Sequence, residues 1–237
     1  MHLGLQLSAS VDQIIFIKKI DRKPVIILEK EDKFLDIKKT LGVHADLDSK
    51  VVVCVEGEND VSFLNNILKI PEFNNIIDFS KENISIIPMH GGTLKSWIQR
   101  DYLKDSNVKE IHLYDSDVKE YAELVKKMNE ENDGRRQGFI TEHLEMENYI
   151  PRELVENEFN IDLSECADKW NDSLDIPKLL TGKIGRRFGR NDAEREKRVK
   201  MILNGSVMKK CTYEMIESMG NVDEISKWLN AIKQAVL

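Results

Sequence analysis

The sequence predicts an α/β fold: a parallel sheet flanked by helices, with an N-terminal β-hairpin extension and a helical C-terminal tail. Three observations carry this. Between residues 51 and 150, short β-branched runs alternate with runs of helical period, the pattern of strand–helix–strand units. The run Val51-Val-Val-Cys-Val55 is apolar at every position, as a strand buried on both faces must be. It leads straight into Glu56 and Gly57 and then into a helical face of Val61, Leu64, Ile67 and Leu68. An acid is thereby set at the carboxyl end of a strand, where open α/β sheets keep their sites.

The elements follow in order. Residues 13–20 and 23–30 are two β-rich runs separated by Asp21-Arg22, which reads as a hairpin. Residues 31–44 repeat Phe34, Leu35, Ile37 and Leu41 at helical spacing and close at Gly42, and 46–50 is a polar connector. A helix over 58–69 follows the first core strand and stops before Pro71. Ile84–Ile87 is a short strand, and Gly91-Gly92 opens a helix with Leu94, Trp97 and Ile98. The glycine pair reads as a plain turn. Glu110–Tyr114 is the next strand and runs into Asp115-Ser-Asp117. Residues 118–131 read as an amphipathic helix, 132–138 as a loop, 139–141 as a β-like piece, and 152–160 as a helix. The stretch 161–190 interleaves Gly182, Gly185 and Gly189 with basic residues and reads as a flexible basic loop. Asp192 is the expected N-cap of a helix over 193–204, Thr212 of another ending at Gly220, and 223–236 is a final amphipathic helix. The expected divisions are an extension over 1–48, a catalytic core over 49–155, and a basic loop with helical tail over 156–237.

Composition narrows the function classes. The 237 residues carry a formal charge of −7, with 41% hydrophobic and 32% charged residues. That suits one medium domain with appendages and a solvated surface. No apolar run reaches membrane-spanning length and no apolar signal core opens the chain, so a cytoplasmic location is expected. Three scattered cysteines form no CxxC pair, which argues for reduced thiols and against both a disulfide framework and a zinc site. The charge is uneven: between Lys178 and Lys210, eleven Lys and Arg face three acids, so the rest of the chain is strongly acidic. An acidic body with a basic strip suits a metal site beside a polyanion, although a solvated basic helix would give the same composition.

The acids form a pattern. Glu56 and the Asp115/Asp117 pair end two different strands, and parallel strands put those ends on one sheet edge. Asp60 lies about one helical turn beyond Glu56. Glu145 and Glu147 follow the next β-like piece. Each acid alone is explained by helix capping, and Glu58 and Glu145 suit that role well. Together they would repel one another unless a cation occupied the site, and oxygen ligands of this kind suit Mg2+ or Mn2+, one ion or two. His90 and His112 flank strands and read as packed or hydrogen-bonded rather than metal-ligating, and Trp97, Trp170 and Trp228 as core.

The residues Val52–Asp60, with Glu56-Gly57, and His112-Leu-Tyr-Asp115-Ser-Asp117 resemble the Toprim domain of topoisomerases, bacterial primases and the OLD (overcoming lysogenization defect) nucleases. Asp60 and the run Leu144-Glu145-Met-Glu147-Asn-Tyr-Ile-Pro151 are similar to the OLD branch. The resemblance covers residues 50–155 and, loosely, the tail. It implies a Toprim-like sheet and a metal-dependent DNA endonuclease, nicking or cleaving by a two-metal mechanism, often within antiphage defence. Glu56, Asp60, Asp115, Asp117, Glu145 and Glu147 would hold the metals. It also implies an active-site lysine from the tail, for which Lys209 and Lys210 are the first candidates and Lys200 the next. Lys183, Arg186, Arg187 and Arg190 would contact the nucleic-acid backbone. OLD proteins carry an ABC-type ATPase ahead of this domain, and residues 1–18 resemble the end of one. The chain holds no GxxxxGK[ST], so no ATP site of its own is expected, and an ATPase domain or subunit and a second copy of the chain are the expected partners. RNA or tRNA is the alternative substrate, and a catalytically silent DNA-binding or assembly module the alternative function. A topoisomerase would need a nucleophilic tyrosine, and none sits in a recognisable setting.

Overall fold

The computed structural model describes residues 16–20, 23–27 and 49–237, apart from 102, 105, 106, 172 and 173. The helix expected over 31–44, the connector over 46–48 and the stretch before residue 16 lie outside the described residues. The chain divides into two compact units, 1–48 and 49–237. In the first, β1 (Phe16–Ile20) pairs antiparallel with β2 (Lys23–Ile27), Ile20 opposite Lys23, as the hairpin reading expects.

The second unit is built on four parallel strands: β3 (Val51–Val55), β4 (Ile84–Pro88), β5 (Lys109–Tyr114) and β6 (Arg136–Ile140), in the order β4-β3-β5-β6. From β3 the chain moves outward to β4, then returns to the other side of β3 to lay down β5 and β6. The direction of winding therefore reverses between β3 and β5. The crevice outside the carboxyl ends of such strands is where open α/β sheets bind ligands.

Both faces of the sheet are covered. Val51, Val53, Val55, Ile111 and Leu113 face the main apolar core. There the last helix, α9 (Val222–Val236), packs on β5 and β3 through Ile225, Trp228, Leu229 and Ile232. The alternating positions Cys54, Glu110, His112 and Tyr114 lie on the other face and are also buried. The intervening helices are α1 (Glu58–Ile67), the single-turn α2 (Pro71–Asn74), α3 (His90–Arg100) and α4 (Lys119–Glu131). Pro71 does more than end α1: it is the first residue of α2, where its missing N–H is not needed.

Strand β6 begins three residues before the β-like piece read from the sequence. Arg135 and Arg136 are anchored in place of hydrophobic residues. Arg135 bonds Glu110 at 2.5 Å and pairs with Asp101, while Arg136 donates to the Ile98 carbonyl at 3.0 Å and pairs with Glu131. With its charges neutralised, a polar segment can pair with β5.

The tail is helical where a flexible loop was expected. After α5 (Arg152–Phe159) and a 3-10 turn at Ser164–Lys169, α6 (Ile176–Lys183) starts on an Asp175 cap that accepts the Lys178 amide at 2.9 Å. Ile176 and Leu180 join the core with Trp170, whose indole donates to the Ile150 carbonyl at 2.8 Å. A second 3-10 turn spans Gly185–Phe188. Helix α7 (Asp192–Ile202) is capped by Asn191 rather than Asp192, with the Asn191 side chain accepting from the Glu194 amide. It runs into a π turn at Leu203–Val207 and a 3-10 turn at Met208–Lys210. Thr212 caps α8 (Tyr213–Ser218), and Gly220 at φ 78° turns the chain into α9.

Gly138 in β6 marks the closest approach of strand and helix. A Cβ there would meet Val125 Cγ1 at 2.9 Å and the Met128 methyl at 2.5 Å. The Met128 end can swing away, but Val125 is branched and buried. Gly138→Ala is therefore expected to destabilise the chain by about 1–3 kcal/mol, read as a lowered urea midpoint at unchanged slope.

Candidate metal centre

Glu56 leaves β3 at its carboxyl end, and Asp115 and Asp117 leave β5 at the same edge. One carboxylate oxygen from each lies within 4.8 Å of the others. Backbone amides hold the group in place. The Asp115 amide donates to Glu56 Oε1 at 3.0 Å, and the Met146 amide donates to Asp115 Oδ1 at 3.1 Å. Asp115 is buried and Asp117 exposed, so the trio spans from the interior to solvent.

A second set lies deeper. Asp60, Glu145 and Glu147 are all buried. Asp60 Oδ2 accepts the Gly57 amide at 2.8 Å, so this acid also closes the start of α1. The Glu145 amide donates to the Asn148 side chain at 3.0 Å at the head of a 3-10 turn spanning Met146–Tyr149. Glu145 thus has the helix-start role read from the sequence and a place in the acid cluster as well. Glu58, by contrast, is exposed in the first turn of α1.

The cation that meets the inner set is Lys200, on α7. Its Nζ donates to Glu145 Oε1 at 2.9 Å. Asn204, one turn on, donates to Glu147 Oε1 at 2.7 Å. The π turn makes this reach possible: it widens the backbone and turns the Asn204 and Gly205 carbonyls away from a regular helical ladder. Asn66 of α1 takes up both carbonyls, at 2.8 and 3.2 Å. Lys209 and Lys210 are not brought to the acids. Both are exposed, and Lys210 pairs with Glu158 at 2.6 Å. Among the expected backbone contacts, Lys183 pairs with Glu165 at 2.6 Å and Arg190 is exposed, while the side chains of Arg186 and Arg187 lie outside the described residues. Asn66 and Asn204 went unread in the sequence, because their place depends on the π turn.

Helix α9 steadies the loop that carries the inner acids. Tyr149 donates to Glu224 Oε2 at 2.5 Å, and the Glu142 amide donates to Glu224 Oε1 at 2.8 Å. The Tyr149 ring stacks edge-on against Trp228 at 5.3 Å.

Burial and crowding dominate the electrostatics. Burial, with Asp60 and Asp117 nearby, pushes Glu56 from an ordinary 4.5 up to about 7. Burial and then Glu147 push Glu145 to about 7, against the pull of Lys200. Asp60 rises to about 6, chiefly by burial. Asp115 is driven well above the carboxylate range by burial and then by Asp60, Glu147, Glu56 and Glu145, which ties the two sets together. Burial disfavours the charge on Lys200, but Glu147 and Glu145 more than offset it and hold the ammonium protonated. The donor set suits a hard divalent cation: all oxygen, mostly carboxylate, at a solvent-facing crevice. Glu145 Oε2 is buried with no hydrogen-bond partner among the described residues, as a carboxylate oxygen awaiting a cation would be.

The chain is similar to the C-terminal region of the Xanthomonas campestris pv. campestris OLD protein in two solved structures. One aligns at 16% identity over 78% of this chain and 96% of that chain, with a TM-score of 0.43. The other aligns at 14% identity over 80% and 99%, with a TM-score of 0.41. No protein-family model and no curated protein matches the chain. At that level of similarity the chemistry of the site is read from its own residues. No helix among the described residues is long and apolar enough to cross a membrane.

Without a divalent cation, folded Glu56 and Glu145 keep protons up to about pH 7, which the unfolded chain releases near 4.5. The folded state binds more protons across that window, so stability falls as pH rises through it. Thermal denaturation in chelator is expected to lose on the order of 5 kcal/mol from about pH 5 to pH 8, with a divalent cation restoring it at the upper end. A midpoint unaffected by pH and by cation would contradict the crowded-acid account.

Proposed function

We propose that the chain is a divalent-metal-dependent endonuclease acting on nucleic-acid phosphodiester bonds, with DNA as the favoured substrate. The observation that carries this reading is the convergence of Glu56, Asp115 and Asp117 from adjacent strands, backed by buried acids and one half-buried lysine. The motif resemblance to the OLD branch of Toprim proteins supports it independently.

Glu56, Asp115 and Asp117 would hold the cation, with Asp60, Glu145 and Glu147 behind them. Mg2+ or Mn2+ bound there supplies Lewis-acid polarisation of phosphate oxygen and activation of water. The rest falls to side chains of the chain itself. The amides of Asp115 and Met146 fix two carboxylates by one oxygen each, leaving the other oxygen of each for the metal. Lys200 keeps a positive charge at the site and can offset negative charge developing on the phosphate. Asn204 fixes Glu147, and Asn66 fixes the turn that carries Asn204. Lys183, Arg186, Arg187 and Arg190 would follow the backbone, which gives salt-sensitive binding with little sequence preference. The ATPase and second-copy partners expected from the sequence belong to this reading.

Plasmid nicking in Mg2+ or Mn2+ tests it. Glu56→Gln and Asp115→Asn are each expected to lower the rate at least about 100-fold, and Lys200→Met about 10- to 100-fold. Lys210→Ala is expected to stay within about threefold of wild type. Undiminished nicking by the first two variants would overturn the assignment. RNA offered in parallel decides between the two substrates. Absence of cleavage of either, together with calorimetry showing no Mg2+ or Mn2+ binding, would favour a binding or assembly module.

A further inference from the structure

The face of the sheet turned away from the main core carries an unusual buried group. Cys54 of β3 and His112 of β5 are register partners across the parallel ladder, so their side chains project side by side. Glu110 lies two residues before His112 on the same face. All three are 0% exposed, and one ligating atom from each lies within 4.8 Å of the others. A thiol, an imidazole and a carboxylate together on the buried face of β3 and β5 are costly to bury unless something joins them.

The surroundings satisfy His112 Nδ1 and both Glu110 oxygens and leave His112 Nε2 without a hydrogen bond among the described residues. Tyr114 OH lies 2.6 Å from His112 Nδ1. Trp97 Nε1 donates to Glu110 Oε2 at 2.8 Å, and Arg135 donates to Glu110 Oε1 at 2.5 Å. His112 Nε2 is buried 3.3 Å from Glu110 Oε2, within ion-pair distance when the ring is protonated, and makes no hydrogen bond among the described residues. The imidazole is thus oriented through one nitrogen by an oxygen partner, with the other nitrogen aimed into the space it shares with sulfur and carboxylate. A histidine ligand is usually fixed in this way.

We propose that Cys54, Glu110 and His112 form a second metal site, selective for a borderline transition ion of the Zn2+ class. The sulfur and nitrogen donors separate it from the all-oxygen cluster at the sheet edge, which suits Mg2+ or Mn2+. The site ties β3 to β5 at the two strands that carry Glu56 and Asp115, so its role is structural. Three protein donors are one fewer than a closed zinc site uses, so a strong chelator removes the ion.

The test uses the whole chain. Zinc is measured by elemental analysis after growth with added zinc and dialysis against buffer. The chelator-treated protein is then titrated with Co2+ and followed by the thiolate-to-cobalt absorption in the near ultraviolet. Wild type is expected to hold about one equivalent of zinc and to show the cobalt–thiolate band. Both are expected to persist in Glu56→Gln, and in the double variant Cys166→Ser with Cys211→Ser, which leaves Cys54 as the only thiol. Both are expected to be lost in Cys54→Ala and in His112→Gln. Lack of the band in wild type, or its loss in the double variant, overturns the site even if the Cys54 and His112 variants fail to fold. Zinc retained by a folded Cys54→Ala protein does the same.

Discussion

The constraint on which this structure turns is the crowding of carboxylates in a partly dehydrated crevice. Asp115 is buried within the field of four other acids, and three of the cluster have protonation midpoints near 6 or 7. Such a group is stable only if each carboxylate is held apart from its neighbours or matched by a cation. The fold does both. Backbone amides at Gly57, Asp115 and Met146 take one oxygen each from Asp60, Glu56 and Asp115, and Lys200 supplies the one ammonium recorded at the inner set among the described residues.

That demand explains features of the tail that would otherwise look incidental. A π turn is energetically poorer than a regular helix. Here it presents Asn204 to Glu147, and Asn66 takes up the two carbonyls it displaces. Helix α9 covers the apolar face of β3 and β5, and through Glu224 it also holds the loop bearing Glu145 and Glu147. The helices after residue 155 thus share the core of the sheet and steady its acidic edge.

Much of the sheet was legible because its code is local. Apolar runs of β-branched residues ending in an acid can be read residue by residue, and so can the hairpin spacing and the caps at Thr212 and Gly220. The misreadings share one cause. Strand β6 looked like a loop because the charges of Arg135 and Arg136 are neutralised by acids outside the strand, at Asp101, Glu110 and Glu131. Helix α6 looked like a loop because Gly182 and the basic residues around it conceal Ile176 and Leu180, whose partners lie on other elements. Lys200 ranked below Lys209 and Lys210 because nothing in the spacing of a basic helix says which lysine points inward.

The sequence by itself determined the parallel α/β sheet and the acids at the ends of β3 and β5. Both follow from the alternation of strand-like and helical runs and from strands that stop where the polarity changes. Only the tertiary structure decided that Lys200 meets Glu145, that Asn204 meets Glu147, and that Cys54 and His112 stand side by side. Those facts depend on strand register and on one irregular helical turn, and both are fixed by contacts between residues distant in the chain.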